Sequence, residues 1–121
     1  MSKAGRNYLM YLEDILTAIR KIEKYTRNLN FEVFSSDEMI IDAVIRNFEV
    51  IGEASAKIPD NIKERYPDVE WKEAIGFGNI LIHDYFGVDV EAVWDTIRKN
   101  LPGFRKNIMN VVKDERLKIK D

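Results

Sequence analysis

The feature that most constrains this chain is a stripe of aliphatic residues near its start. Leu9, Leu12, Ile15, Leu16, Ile19 and Ile22 recur at intervals of three and four, the period of one face of an α-helix. Asp14, Arg20, Lys21 and Lys24 fall between them and form a wet face. The spacing predicts a first helix over about 6–28, stopped by Asn28-Leu29-Asn30, with a loop from about 29 to 35.

The same period returns further on, and no stretch alternates as a strand would. Ser35-Ser36-Asp37-Glu38 reads as a helix start, with Ser35 and Glu38 spaced as a capping box and Asp37 at the positive end of the dipole. The second helix runs to about Lys57 and buries Ile40, Ala43, Val44, Phe48 and Ile51. Gly52 inside it costs about 1 kcal/mol relative to Ala, tolerable where another backbone comes close. Pro59 opens a short third helix to about residue 65. A fourth follows Tyr66-Pro67-Asp68, from about Glu70 to Phe86, and Gly87 ends it. Asp89 caps a fifth over about 90–100. Pro102 breaks or kinks it before a last segment carrying Phe104, Ile108, Val111 and Val112. The expected fold class is all-α, an antiparallel up-and-down bundle of four long helices and one short one.

At 121 residues, with 45% hydrophobic and 33% charged side chains, the chain is one domain able to bury one core. It has no cysteine, so disulfides and thiolate metal sites are excluded. Its net charge of −2 gives no global attraction to nucleic acid, so any RNA contact needs a local basic patch. No apolar run approaches the roughly 20 residues that span a bilayer. The expectation is a cytoplasmic protein with no membrane partner, no cofactor and no metal site. Residues 113–121 are mostly charged and read as a frayed helix end or tail.

The chemistry gathers at mid-chain. Gly76-Phe77-Gly78-Asn79-Ile80-Leu81-Ile82-His83-Asp84-Tyr85-Phe86 holds the single histidine. At about 100° per residue Asn79 and His83 share one face, and Gly78 and Tyr85 another. A histidine side chain is suited to moving protons near neutral pH. The bland alternative is that Asn79 and His83 form a satisfied polar pair in a bundle core, and that Tyr85 caps the core beside Phe86. Glu49 and Glu53 stand one turn apart, as a carboxylate pair or a solvated face. Trp71 and Trp94 read as core or interface anchors. Gly52 and Gly76 mark close helix approaches or plain packing.

Taken together these residues resemble a known family. Asp14 to Ile19 with Ile22 to Thr26, Asp42 to Ala54, Pro67 to Trp71, and Gly87-Val88-Asp89 to Trp94 with Leu101-Pro102 are similar, in order and at this spacing, to HepT-type toxins of the HEPN superfamily. The family signature is an Arg, four to six residues, a His, and in this branch a Tyr two further on. His83 and Tyr85 occupy the last two positions, and Asn79 is retained. Gly78 stands where the signature has Arg.

The resemblance implies a metal-independent endoribonuclease, the toxin of a type VII toxin–antitoxin pair, acting on RNA such as tRNA or mRNA. His83 would act as general base or acid, and the missing Arg would have stabilised phosphoryl charge. The resemblance further implies a homodimer, a cognate minimal nucleotidyltransferase as antitoxin, and silencing by AMP transfer to Tyr85. The alternative is a non-catalytic subunit that docks the nucleotidyltransferase. Losing a charged stabiliser lowers a rate on the order of a hundredfold, so Gly78 predicts weak or absent cleavage. Arg46 is a candidate replacement cation. A helical position suits Arg better than Gly, so Gly78→Arg is expected to be accepted by the backbone.

Overall fold

A computed structural model describes the backbone of residues 3–120 and the side chains of residues 8–119. Among these every regular element is helical. Helix α1 spans Lys3–Thr26, α2 Phe31–Ser36, α3 Glu38–Lys57, α4 Asp60–Arg65 and α5 Trp71–His83. A 3₁₀ turn follows at Tyr85–Gly87, then α6 at Val90–Asp95, a π-helical turn at Thr96–Asn100, and α7 at Leu101–Lys120.

The four long rods are α1, α3, α5 and the continuous helix formed by α6, the π turn and α7. The aliphatic stripe of α1 is the centre of the bundle: Leu12, Ile15, Ile19 and Ile22 are wholly buried. Helix α1 packs on α3, α3 packs on α5, and α7 closes against α1. Helices α1 and α7 run antiparallel, since Glu13 pairs with Arg116 and Glu23 with Arg105. Val44, Ile108 and Val111 complete the centre of the core.

Several local expectations shift, each for a visible reason. The segment expected as a loop contains α2, whose N-cap Asn30 accepts from the Val33 N–H at 2.9 Å. Phe34 is thereby buried and packs on Trp94, with ring centroids 5.0 Å apart. Asp37, not Ser35, caps α3, accepting from the Ile40 N–H at 3.1 Å; the Ser35 hydroxyl instead donates back to Glu32 O. Pro102 does not break the last helix. The preceding turn widens so that Leu101 N–H bonds Thr96 O, a wider repeat that accommodates an inserted residue within a helix.

The charged C-terminal stretch is not a tail over its described part, because α7 continues to Lys120. Glu115 is 1% exposed and fastens three helices together. It accepts from Tyr8 at 2.7 Å, from Arg65 at 2.7 Å, and from Tyr66. A buried carboxylate is tolerable only when hydrogen-bonded and paired in this way. Burial pushes this carboxyl's pKa up, but the hydrogen bonds from Tyr66, Tyr8 and Arg65 and the Arg65 charge outweigh it and hold it at about 2. Burial, and then the hydrogen bond to Glu115, push the Tyr8 phenol up to about 12.

Candidate functional site

Helix α5 exists despite its glycines because it has a buried side. Trp71, Gly78 and Leu81 are buried, and Trp71 Nε1–H donates to Tyr66 O at 3.1 Å. The opposite side is open. Lys72, Asn79 and His83 are exposed, and with Gly76 they follow one another by four, three and four residues, one helical stripe. A Cβ added at Gly76 would meet nothing within 4 Å. Among the described residues Gly76 therefore marks no close approach, whereas Gly52 does.

Gly78 lies on the buried side, directly across from Gly52. A Cβ at position 78 would be 3.0 Å from Gly52 Cα and 3.5 Å from Phe48 O. The expectation that the backbone accepts Arg at 78 is thus corrected. Any side chain there pushes on the α3 main chain, and it leaves the helix about 140° away from His83. Gly78 and Tyr85 do not share a helical face either, because α5 ends at His83 and Tyr85 begins the 3₁₀ turn.

His83 is exposed at the last position of α5, not buried in a polar pair with Asn79. Two residues on, the Tyr85 hydroxyl donates to Asp42 Oδ1 on α3. This bond and the Gly52–Gly78 contact fix the register of α3 against α5 as antiparallel. Asp42, Arg46, Glu49 and Glu53 form a stripe along α3 at steps of four, three and four, and the Tyr85–Asp42 bond joins it to the end of α5 that carries His83. Arg46 Nη1 is 3.5 Å from Glu49 and 3.9 Å from Glu53. Glu49 is partly buried and Glu53 exposed, both lie within ion-pair distance of Arg46, and the trio keeps one net negative charge; Arg46 is a cation already partnered.

The electrostatics around Tyr85 are acidic. Its phenol pKa is raised, first by the hydrogen bond to Asp42, then by burial, then by the charges of Asp42, Glu38 and Glu49. The neighbouring Phe86 ring, 5.5 Å from that of Tyr85, is fully exposed; Ile80 on α5 is 59% exposed and Met39 on α3 78%. Tyr85 does not cap the core, nor does Phe86. Among the described residues no group of three or more His, Asp or Glu is placed to hold a metal ion. A cleft of about 260 Å³ opens on the other side of α5, between Phe77, Phe48, Leu101 and Phe104; none of His83, Asn79 or Tyr85 lines it.

The structure thus brings His83, Asn79 and Tyr85 to one exposed end of the α3–α5 pair and leaves Gly78 in the crossing. The sequence reading missed Asp42. Its signal was present in the all-charged stripe Asp42, Arg46, Glu49 and Glu53, one helical face beside a buried one.

Residues 15–111 match the family described as Ribonuclease HepT-like. The chain belongs to the HepT-like ribonuclease family. It is 44% identical over 100 residues to "Probable ribonuclease HepT" of Thermococcus cleftensis, covering 83% of this chain and 91% of that one. Two proteins of Methanocaldococcus jannaschii that carry RNase designations are each 41% identical over 109 residues, covering 90% of this chain and 90% and 94% of theirs. No solved structure matches the chain. No described helix is long and apolar enough to cross a membrane.

Proposed function

We propose that this HepT-like chain is the toxin of a toxin–antitoxin pair, a metal-independent endoribonuclease weakened at one position and silenced through Tyr85. The observation that carries the reading is the exposed placement of His83, Asn79 and Tyr85 at one end of α5, in a chain whose family is ribonucleolytic by name. In the reaction a ribose 2′-OH attacks the adjacent phosphorus and the 5′-oxygen leaves. His83 takes or supplies a proton, and Asn79, one turn back on the same stripe, donates to a phosphate or ribose oxygen. The resemblance implies an Arg to meet the developing phosphoryl charge, at a position that in this chain lies in the α3–α5 crossing. Position 78 supplies none, and Arg46 is held by Glu49 and Glu53, so cleavage by this chain is slow.

Two copies make a more complete site than one, because a single imidazole does not act as base and acid at once. The exposed Phe86 and Ile80 beside His83 suit burial in such a homodimer. The partner that silences the toxin is a minimal nucleotidyltransferase, which adds AMP to the Tyr85 hydroxyl. The added phosphate and base cover His83 and repel RNA phosphate. A cytoplasmic location follows from an RNA substrate.

The test is expression of the chain with and without His83→Ala, scored for growth arrest and for cleavage of total RNA in the presence of a chelator. The proposal expects slow cleavage that needs His83 and no added metal. The second reading, a non-catalytic subunit that docks the transferase, rests on the same absence of cation at Gly78. Transfer of AMP to Tyr85 without any His83-dependent cleavage would favour it.

A further inference from the structure

The Tyr85 hydroxyl has one hydrogen bond among the described residues, to Asp42 Oδ1, across 43 positions of sequence. Glu38 and Glu49 stand on the same helix as Asp42, and together these carboxylates disfavour the phenolate. An ordinary phenol titrates near 10, so only about one in a thousand is ionised at pH 7; at Tyr85 the fraction is smaller still. A bond formed to this oxygen near neutrality therefore needs a proton acceptor already touching it. His83 is two residues away and makes no hydrogen bond to Tyr85. Asp42 does.

We propose that Asp42 is the general base for nucleotidyl transfer to Tyr85, an inference that rests on the reading of Tyr85 as the acceptor. The bond that forms joins the Tyr85 phenolic oxygen to the α-phosphorus of a nucleoside triphosphate. The bond between that phosphorus and the bridging oxygen to the β-phosphorus breaks, and pyrophosphate leaves. The phenolic proton passes to the Asp42 carboxylate as the new bond forms, and Asp42 then releases it to water. The acceptor protein thereby brings its own base, and the transferase has only to present the nucleotide in line. The same contact also has a consequence for the product. A phosphodiester on Tyr85 places a negative charge beside Asp42, Glu38 and Glu49, so the modified ring is driven off α3.

The test uses the full chain and adenosine 5′-phosphorimidazolide, an AMP donor whose leaving group is imidazole, with peptide mass mapping of the product. AMP is expected on Tyr85. Asp42→Asn, which keeps an oxygen acceptor and removes the base, should slow the transfer about 100-fold at neutral pH. The residual rate should rise with hydroxide, and Asp42→Glu should restore part of the loss. In the same Asp42→Asn chain an NMR titration of the Tyr85 ring carbon should show the phenol more acidic, opposite in direction to the loss of reactivity. Equal rates and equal pH profiles for wild type and Asp42→Asn overturn the role of Asp42 and leave Tyr85 as the acceptor. Label on other tyrosines but never on Tyr85 in the wild-type chain overturns the acceptor reading, and the role of Asp42 with it.

Discussion

Gly52 and Gly78 meet backbone to backbone: a Cβ built on either would lie 3.0 Å from the other's Cα. Carbon pairs prefer about 3.5–4.0 Å, so a methyl group at either position forces α3 and α5 apart by a few tenths of an ångström. The helix-propensity gain of Gly→Ala is about 1 kcal/mol, and overpacking a close contact costs roughly 1–3 kcal/mol. Gly78→Ala is therefore expected to destabilise the chain by about 1 kcal/mol, and Gly78→Arg by more. Gly76→Ala, in open space, should gain about 1 kcal/mol. Urea midpoints of the three variants check this; a Gly78→Ala chain that gains as much as Gly76→Ala would show the crossing to be loose.

His83→Ala should abolish RNA cleavage and leave folding unchanged. The side chain is exposed at a helix end and has no hydrogen bond to lose within the described residues. Matched melting curves, together with a cleavage assay on purified protein, separate chemistry from stability. A large drop in melting temperature would mean that His83 holds structure.

Phe86→Asp should leave the monomer's stability within about 0.5 kcal/mol, as for surface changes generally, because the ring is 100% exposed. In the proposed dimer the same ring is covered, so the carboxylate should weaken self-association. Sedimentation velocity across a concentration series reads this directly. An unchanged assembly would place the interface elsewhere.

Glu115 predicts an acid limit to stability. Its folded pKa is depressed to about 2 from 4.5, so its contribution is complete above the unfolded value. It is lost as pH falls from about 5 toward 2. Glu115→Gln should lower stability by about 2–3 kcal/mol at pH 7 and flatten the dependence across that acid range. Denaturant unfolding at pH 7 and pH 3 tests both. Parallel losses in wild type and variant on acidification would assign the acid sensitivity to other carboxylates.

The bundle was legible because its signal is periodic. The α1 stripe, the Asp89 cap and Pro59 at the start of α4 each act within one or two turns of chain. What escaped the sequence reading depends on contacts between distant segments. Glu115 looks like one more charge in a charged run; only Tyr8 and Arg65, brought from two other helices, make it a buried fastener. Gly78 reads as a deficit on its own helix, and its packing role becomes visible only once Gly52 is opposite. Asp42 belongs to a helix recognised from the start, yet its meeting with Tyr85 depends on how α3 and α5 cross. Local pattern places His83 and Tyr85 near each other, but it does not say what touches the tyrosine.

The wide turn at Thr96–Asn100 means that the last helix carries one residue more than a uniform α-helix would need between the same two buried faces. Val93 before it, Ile97 within it, and Leu101, Phe104 and Ile108 beyond it are all buried because that extra residue is absorbed locally. Removing Lys99, with Pro102→Ala to supply the missing N–H, would return the helix to even winding and keep both faces inward. The same removal at Lys106 would swing Ile108, Val111 and Glu115 around by about 100°, out of the core and away from Tyr8 and Arg65. The chain is thus tolerant of a change in length at one turn of this rod and intolerant of it ten ångströms or so further along.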